Sequence, residues 1–382
     1  MPSSRLLPPL PVLLRLCACI SWLCVAPARA FDVQYSGFAS LVAGRTFGNC
    51  VGDSTMSSAY RPPCTRFIAD WAHGGVYTPA LSLKPDSKLG LQGKMNVLGN
   101  LSATVQMVGR LADGAGADLE WAYLTYDINP DWTVQVGRKR LPLYYYSTSQ
   151  DVGYTYPWVR LPADIYGWDA VNYNGGSVTF RHALGGWSMR SSLFGGDERT
   201  KVSAYAQLSF DAPKDIHWRD IRGGDLELSR DWLTARVAYI VSDYRQWDHN
   251  SATLDLLPSQ RTIGRQKIYG GSINIDTERW LVSSECSVFD RSDFQYKATA
   301  WLLGAGMHLG KFTPMLTASA YRETTRFPDY YTPLRWQTQS LSLRYEVGNS
   351  SALKLQLDRF TDGPNTFAGN ARVLALSYDV IF

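Results

Sequence analysis

Ala371-Arg-Val-Leu-Ala-Leu-Ser-Tyr-Asp-Val-Ile-Phe382 closes the chain in strict alternation. In an extended strand Leu374, Leu376, Tyr378, Val380 and Phe382 fall on one face, with Ala375, Ser377 and Asp379 on the other, because successive side chains point to opposite sides. One such strand decides little. Working back toward Phe31, the same alternation returns in about sixteen segments of roughly 8–15 residues, the length of a tilted strand crossing a bilayer. In Phe31–Phe47, Val33, Tyr35, Ala39 and Leu41 oppose Gln34, Ser36 and Ser40; from Lys88 on, Leu89, Leu91, Met95 and Val97 oppose Lys88, Gln92, Lys94 and Asn96.

The connections alternate between short and long. Short turns fall at Gly99-Asn100, Asn129–Asp131, Leu184–Gly186, Arg230-Asp231, Asp276–Arg279, Gly310-Lys311 and Asn349–Ser351. Longer ones fall near 48–86, 113–118, 143–167, 196–221, 248–264, 291–295, 327–335 and 363–370. Tight turns on one rim and long loops on the other are the asymmetry of a transmembrane antiparallel β-barrel. Trp132, Trp187, Trp232 and Trp280 each open a segment just after a short turn, which fits an aromatic girdle at one membrane interface. A soluble propeller would need a blade repeat of about 40 residues, and none is found. Unpaired strand edges have no partner in hydrocarbon, so the expected fold is all-β and closed, with 371–382 pairing 31–47.

Residues 1–30 read as a secretory signal: Arg5, an apolar stretch from Val12 to Val25, and small residues at Ala28-Arg29-Ala30. Cleavage near Ala30 leaves 31–382 as the barrel. Without residues 1–30, which hold three arginines and no acid, 35 bases face 34 acids, and nothing favours a nucleic-acid partner. No later stretch approaches a run of about 18 apolar residues. Mean hydropathy is −0.19, and the chain is rich in Gly (32), Tyr (22) and Trp (13), as suits strands with one polar face. Cys50 and Cys64 flank a polar loop and are placed to close it as a disulfide in an oxidising compartment. Cys286 lies within a strand pattern as a small apolar residue.

Charges at Glu120, Arg190, Asp225, Glu227, Arg236, Glu285, Arg344, Glu346, Lys354, Asp358 and Asp379 share the polar phase. On the lipid face each would cost about 2–4 kcal/mol at mid-membrane, so the set implies water inside. The five histidines, His73, His182, His217, His249 and His308, show no metal-ligand spacing, and no G-x-S-x-G nucleophile occurs. No enzyme activity, metal or cofactor is expected.

Segment 143–167, LYYYSTSQDVGYTYPWVRLPADIYG, holds Tyr144, Tyr145, Tyr146, Tyr154, Tyr156, Trp158 and Tyr166. Burying such rings is worth roughly 1.5–3 kcal/mol each, so this segment is expected to pack on the inner wall rather than stand in water.

Asp86-Ser-Lys-Leu-Gly-Leu-Gln-Gly93, Leu119–Ile128 with Asn129-Pro-Asp131 and Trp132-Thr-Val-Gln-Val-Gly-Arg138, Gly175-Gly-Ser-Val-Thr-Phe-Arg181, and the terminal Phe382 resemble, in order and spacing, the sixteen-stranded trimeric porins of Gram-negative bacteria. The resemblance implies a homotrimer in outer-membrane lipid, inserted by the barrel assembly machinery through Phe382. It further implies a water-filled channel passing small hydrophilic solutes and ions by passive diffusion. In that family the third long loop, here 143–167, narrows the pore. Its acids Asp151 and Asp164 would oppose Lys88, Lys94 and Arg110 on the wall, where Arg190, Arg236 and Arg344 also fall, and Arg160 is a base on the loop itself. Tyr173 stands where the family carries an inward Arg, and the family's short acidic loop motif is absent. The alternative is a plugged barrel with a structural or surface-binding role.

Overall fold

The alternating segments form strands whose apolar sides face outward. The computed structural model describes residues 33–48, 65–112, 116–210, 212–250, 256–293, 296–329, 332–363 and 369–382. The expected signal segment 1–30 and the Cys50/Cys64 pair lie outside the described residues. The strands are β1 (Val33–Phe47), β2 (Phe67–Asp70), β3 (Gly75–Tyr77), β4 (Lys88–Leu98), β5 (Leu101–Arg110), β6 (Gly116–Asp127), β7 (Trp132–Arg140), β8 (Asn172–Leu184), β9 (Trp187–Thr200), β10 (Lys214–Arg230), β11 (Leu233–His249), β12 (Leu256–Asp276), β13 (Trp280–Asp290), β14 (Lys297–Met307), β15 (Phe312–Thr324), β16 (Arg335–Gly348), β17 (Ser351–Asp362) and β18 (Ala371–Ile381). All but β2 and β3 join one closed antiparallel barrel in which each strand pairs with its neighbours in sequence and β1 pairs with both β4 and β18.

Burial is inverted relative to a water-soluble protein. Leu41, Leu193, Leu316 and Leu376 are more than half exposed, whereas Ser377, Asp379, Lys354 and Asp358 are almost wholly buried. Hydrocarbon outside and a polar interior select that pattern. Trp132, Trp232 and Trp280 stand exposed beside the short turns, Trp187 is half-buried there, and the Trp132–Phe180 and Phe312–Tyr345 rings each pack at 4.8 Å. Cys286 faces outward.

Closure uses the last residue. The Gly37 N–H donates to the Phe382 carbonyl at 2.7 Å and the Phe382 N–H to the Gly37 carbonyl at 3.0 Å. The Phe382 ring occupies the space beside Gly37: a Cβ there would lie 2.5 Å from it.

Three stretches differ from expectation. About half of 196–221 and most of 248–264 is strand, because β9–β12 continue past the apolar band. Polar pairs suited to water hold them there: Lys214–Asp248 at 2.7 Å, His217–Asp197 at 3.2 Å and Arg265–Asp243 at 3.7 Å. A short helix, α2 (Ala204–Phe210), joins β9 to β10, and the long β1–β4 connection carries the β2–β3 hairpin. The aromatic segment 143–167 makes up most of the β7–β8 connection, which runs 141–171, and contains the four-residue helix α1 (Ala163–Tyr166).

Candidate functional site: a charged loop pinned inside the barrel

The long-loop ends of β4–β7 bring Lys88, Arg110, Glu120 and Arg140 together, and the β7–β8 loop delivers Asp151 to them. Arg110 Nη2 lies 2.8 Å from Asp151 Oδ1 and 2.6 Å from Glu120 Oε1. Arg140 bonds the other Asp151 oxygen and sits 3.3 Å from Glu120, while Lys88 Nζ is 3.7 Å from Asp151. A bulge between β5 and β6 sets Met107 opposite Leu119 and Gln106 opposite Trp121, so Glu120 is the extra residue and turns inward. Burial would push the Asp151 carboxyl up, but the three cations around it hold it well below the usual range.

The β2–β3 hairpin extends this network. His73 Nδ1 is 2.8 Å from Asp70 Oδ2, and its Nε2 is 4.0 Å from Glu120. Burial opposes the charged imidazole, yet the Asp70 and Glu120 carboxylates raise its affinity for the proton. His73, Asp118 and Glu120 come within reach of one another as metal ligands would. Arg110, however, is bonded to both carboxylates, at 3.2 and 2.6 Å, and supplies the positive charge a cation would bring.

The loop's remaining anchors lie on the other walls. Arg236 of β11 donates to the carbonyls of Pro142 and Tyr144. Glu285 of β13 accepts from the Tyr145 N–H at 3.0 Å and the Tyr166 hydroxyl at 2.6 Å. Trp158 Nε1 donates to Thr317 at 2.8 Å, and Lys354 donates to the carbonyls of Gly153 and Trp158 at 2.5 and 2.8 Å. Arg160 bridges Asp86 and Asp358, both at 2.7 Å, and Arg344 donates to the Tyr154 and Tyr156 carbonyls. Tyr144, Tyr146, Tyr156, Trp158 and Tyr166 pack on one another with centroids 4.6–6.5 Å apart.

Asp164 does not join Asp151 against the basic wall. It sits across the barrel, accepting from Ser319 at 2.7 Å and Thr338 at 3.0 Å. The loop traverses the lumen between the two acids, so one meets arginines and the other hydroxyls. Burial pushes the Asp164 carboxyl up to about 6, with both hydroxyls pulling the other way. Arg160 likewise belongs to the β17 side. Lys94 faces the lumen nearer the short turns and has no ion-pair partner among the described residues. Arg190 pairs with Asp225 and Glu227, and Tyr173 packs against Phe194 at 5.6 Å.

Other groups escaped the sequence reading. Lys139 points inward and donates to Gln135 and Ser177 at 2.5 and 2.7 Å. Arg291, fully buried, bonds Asp169 at 3.1 Å beneath the Tyr244, Trp168 and Trp218 rings. Above the loop, Trp71 of the β2–β3 turn stacks on Trp336, which stacks on Tyr321, and Tyr205 of α2 packs against Trp71 and Trp168. Their partners lie many strands away, and only the dense aromatic content signalled them.

No protein-family model matches the sequence, and no curated protein matches it by sequence. Solved structures do. The outer-membrane channel DcaP of Acinetobacter baumannii superposes with a TM-score of 0.60 at 13% identity, covering 93% of this chain and 99% of its own. OmpF of Salmonella typhi, in complex with daunomycin, gives 0.56 at 10% identity, with coverages of 92% and 97%. The anion-selective porin from Comamonas acidovorans gives 0.54 at 14%, with coverages of 92% and 100%. At such low identity the shared property is the architecture, and strand number, closure and inverted burial all agree with it: this chain has the sixteen-stranded barrel fold of the Gram-negative outer-membrane porins.

Proposed function

We propose that the chain forms a water-filled outer-membrane channel, assembled as a homotrimer, for passive diffusion of small hydrophilic solutes and ions. The β7–β8 loop narrows it. The observation that carries this reading is that Lys94, Asp127 and Arg181 project into the lumen on the short-turn side and remain exposed, which requires water there. Lys94, Lys139 and Arg181 have no carboxylate partner among the described residues, and Arg190 stands directly opposite Arg181. This basic arc on β4, β7, β8 and β9 favours small anions.

A plugged barrel is the second reading, and the aromatic layer of Trp71, Trp168, Tyr205, Tyr321 and Trp336 over the loop favours it. Single-channel recording of purified protein in a planar bilayer separates the two. Discrete, long-lived steps in groups of three support the channel; silence from correctly folded, heat-modifiable protein overturns it in favour of the plug.

A further inference from the structure

Five arginines stand outside the barrel on adjacent strands at the long-loop rim: Arg322 on β15, Arg335 on β16, Arg359 on β17, Arg372 on β18 and Arg45 on β1. All are exposed, and none has an ion-pair partner among the described residues. Arg359 lies directly opposite Arg372, and Arg322 directly opposite Arg335. Arg45, opposite Leu374, is the diagonal neighbour of Arg372. Like charges in directly opposed positions destabilise a sheet. The outward phase of these five strands holds no Asp or Glu to offset them. The far side of the barrel differs: there Asp243 pairs with Arg265, and Asp290 stands in register between Lys267 and Lys297.

Toward mid-barrel from this band Leu357 follows Arg359 and Leu374 and Leu376 follow Arg372 on the same face, while on β15 and β16 Ala320 and Ala318, and Gln337 and Gln339, come before Leu316 and Leu341; all five leucines are at least 40% exposed. A ligand that satisfies both zones has several anionic groups at its head and acyl chains below. Guanidinium groups match phosphate oxygens in a bidentate fork. We propose that this band is a binding site for an acylated lipid bearing more than one phosphate, held at the outer rim of the barrel with its chains against the leucines. A second copy of the chain is disfavoured as the occupant, because it would have to bring an outward acidic surface to meet five arginines.

The inference rests on the membrane reading of the barrel but not on conduction, so a silent channel would leave it standing. The test uses the refolded full chain in detergent, with bound lipid counted by native mass spectrometry. The probes are a bisphosphorylated, multiply acylated glycolipid, its dephosphorylated analogue, and inorganic phosphate. The bisphosphorylated lipid should bind, and added salt should weaken it. R359Q/R372Q should bind it at least about ten-fold more weakly, whereas R222Q/R265Q, at exposed positions of β10 and β12 on the far side, should match the parent. Heat-modifiability confirms that each variant is a folded barrel, and R359K/R372K should fall between parent and glutamine variant because it keeps charge without the fork. Equal binding of the dephosphorylated lipid, unchanged binding by R359Q/R372Q, or full displacement by inorganic phosphate would overturn the proposal. So would loss of the oligomer in R359Q/R372Q with lipid binding intact, which would make the band a subunit contact.

Discussion

Asp151 and Asp164 share one loop and meet opposite electrostatics. Asp151 neutralises Arg110 and Arg140, each almost wholly buried, with Lys88 nearby. Replacing Asp151 with Asn leaves those guanidinium groups short of a counter-charge, and breaking a buried pair in this way costs about 3–5 kcal/mol. D151N should therefore lower the thermal midpoint of the barrel in detergent, and D151E should recover most of the loss. Asp164 has no cation in contact among the described residues, and its proton is held up to about 6 by burial. Its unfolded carboxyl titrates near 3.8. The contribution of the protonated form to stability is then complete below that value and is lost as pH rises through about 6. The thermal midpoint of the parent should fall between pH 4 and pH 7 more than that of D164N. Identical slopes in the two proteins would show that Asp164 does not govern loop docking.

At the scale of elements, the strands were legible because their period is local: alternate residues within one segment report the two faces without knowledge of any partner. The short turns were legible for the same reason, through Gly, Asn, Asp and Pro at the turn itself. The loop was only half legible. Its density of rings gave away that it is buried, but its anchors, such as Arg160–Asp358 and Lys354–Gly153, join residues almost 200 positions apart. The same limit placed Asp164 with the wrong wall. A strand's phase can also slip at a bulge, as it does before Glu120. The seam between β1 and β18 is an element-level feature that sequence did anticipate, and its chemistry is testable. A methyl group at Gly37 would meet the Phe382 ring at 2.5 Å and the Gly90 carbonyl at 2.9 Å. G37A should reduce the yield of heat-resistant folded barrel. F382L in the same chain should restore part of it, since it removes the closer of the two clashes, whereas a purely backbone effect at Gly37 would leave the double variant no better than G37A.

For the whole molecule, the distribution of charge matters more than its sum. The loop network is internally matched: Asp151, Glu120, Asp118 and Asp70 set against Arg110, Arg140, Lys88 and His73. Matched and buried, such groups hold the loop but contribute little field to the water beside them. Below the loop the balance is broken, with Lys94, Lys139 and Arg181 on one arc and Asp225 and Glu227 already engaged by Arg190. Among the described residues, a permeating anion would pass three cations without a carboxylate partner, while on the same arc a cation would find Asp127 alone. Under a salt gradient the reversal potential should therefore carry the sign of anion preference at about 0.1 M salt. It should shrink toward zero near 1 M, where the Debye length falls from about 10 Å to about 3 Å. K94E/R181E should reverse the sign with little change in conductance, because neither residue anchors the loop. If that variant keeps its anion preference, selectivity belongs to the loop network instead, and D151N becomes the variant that must move it.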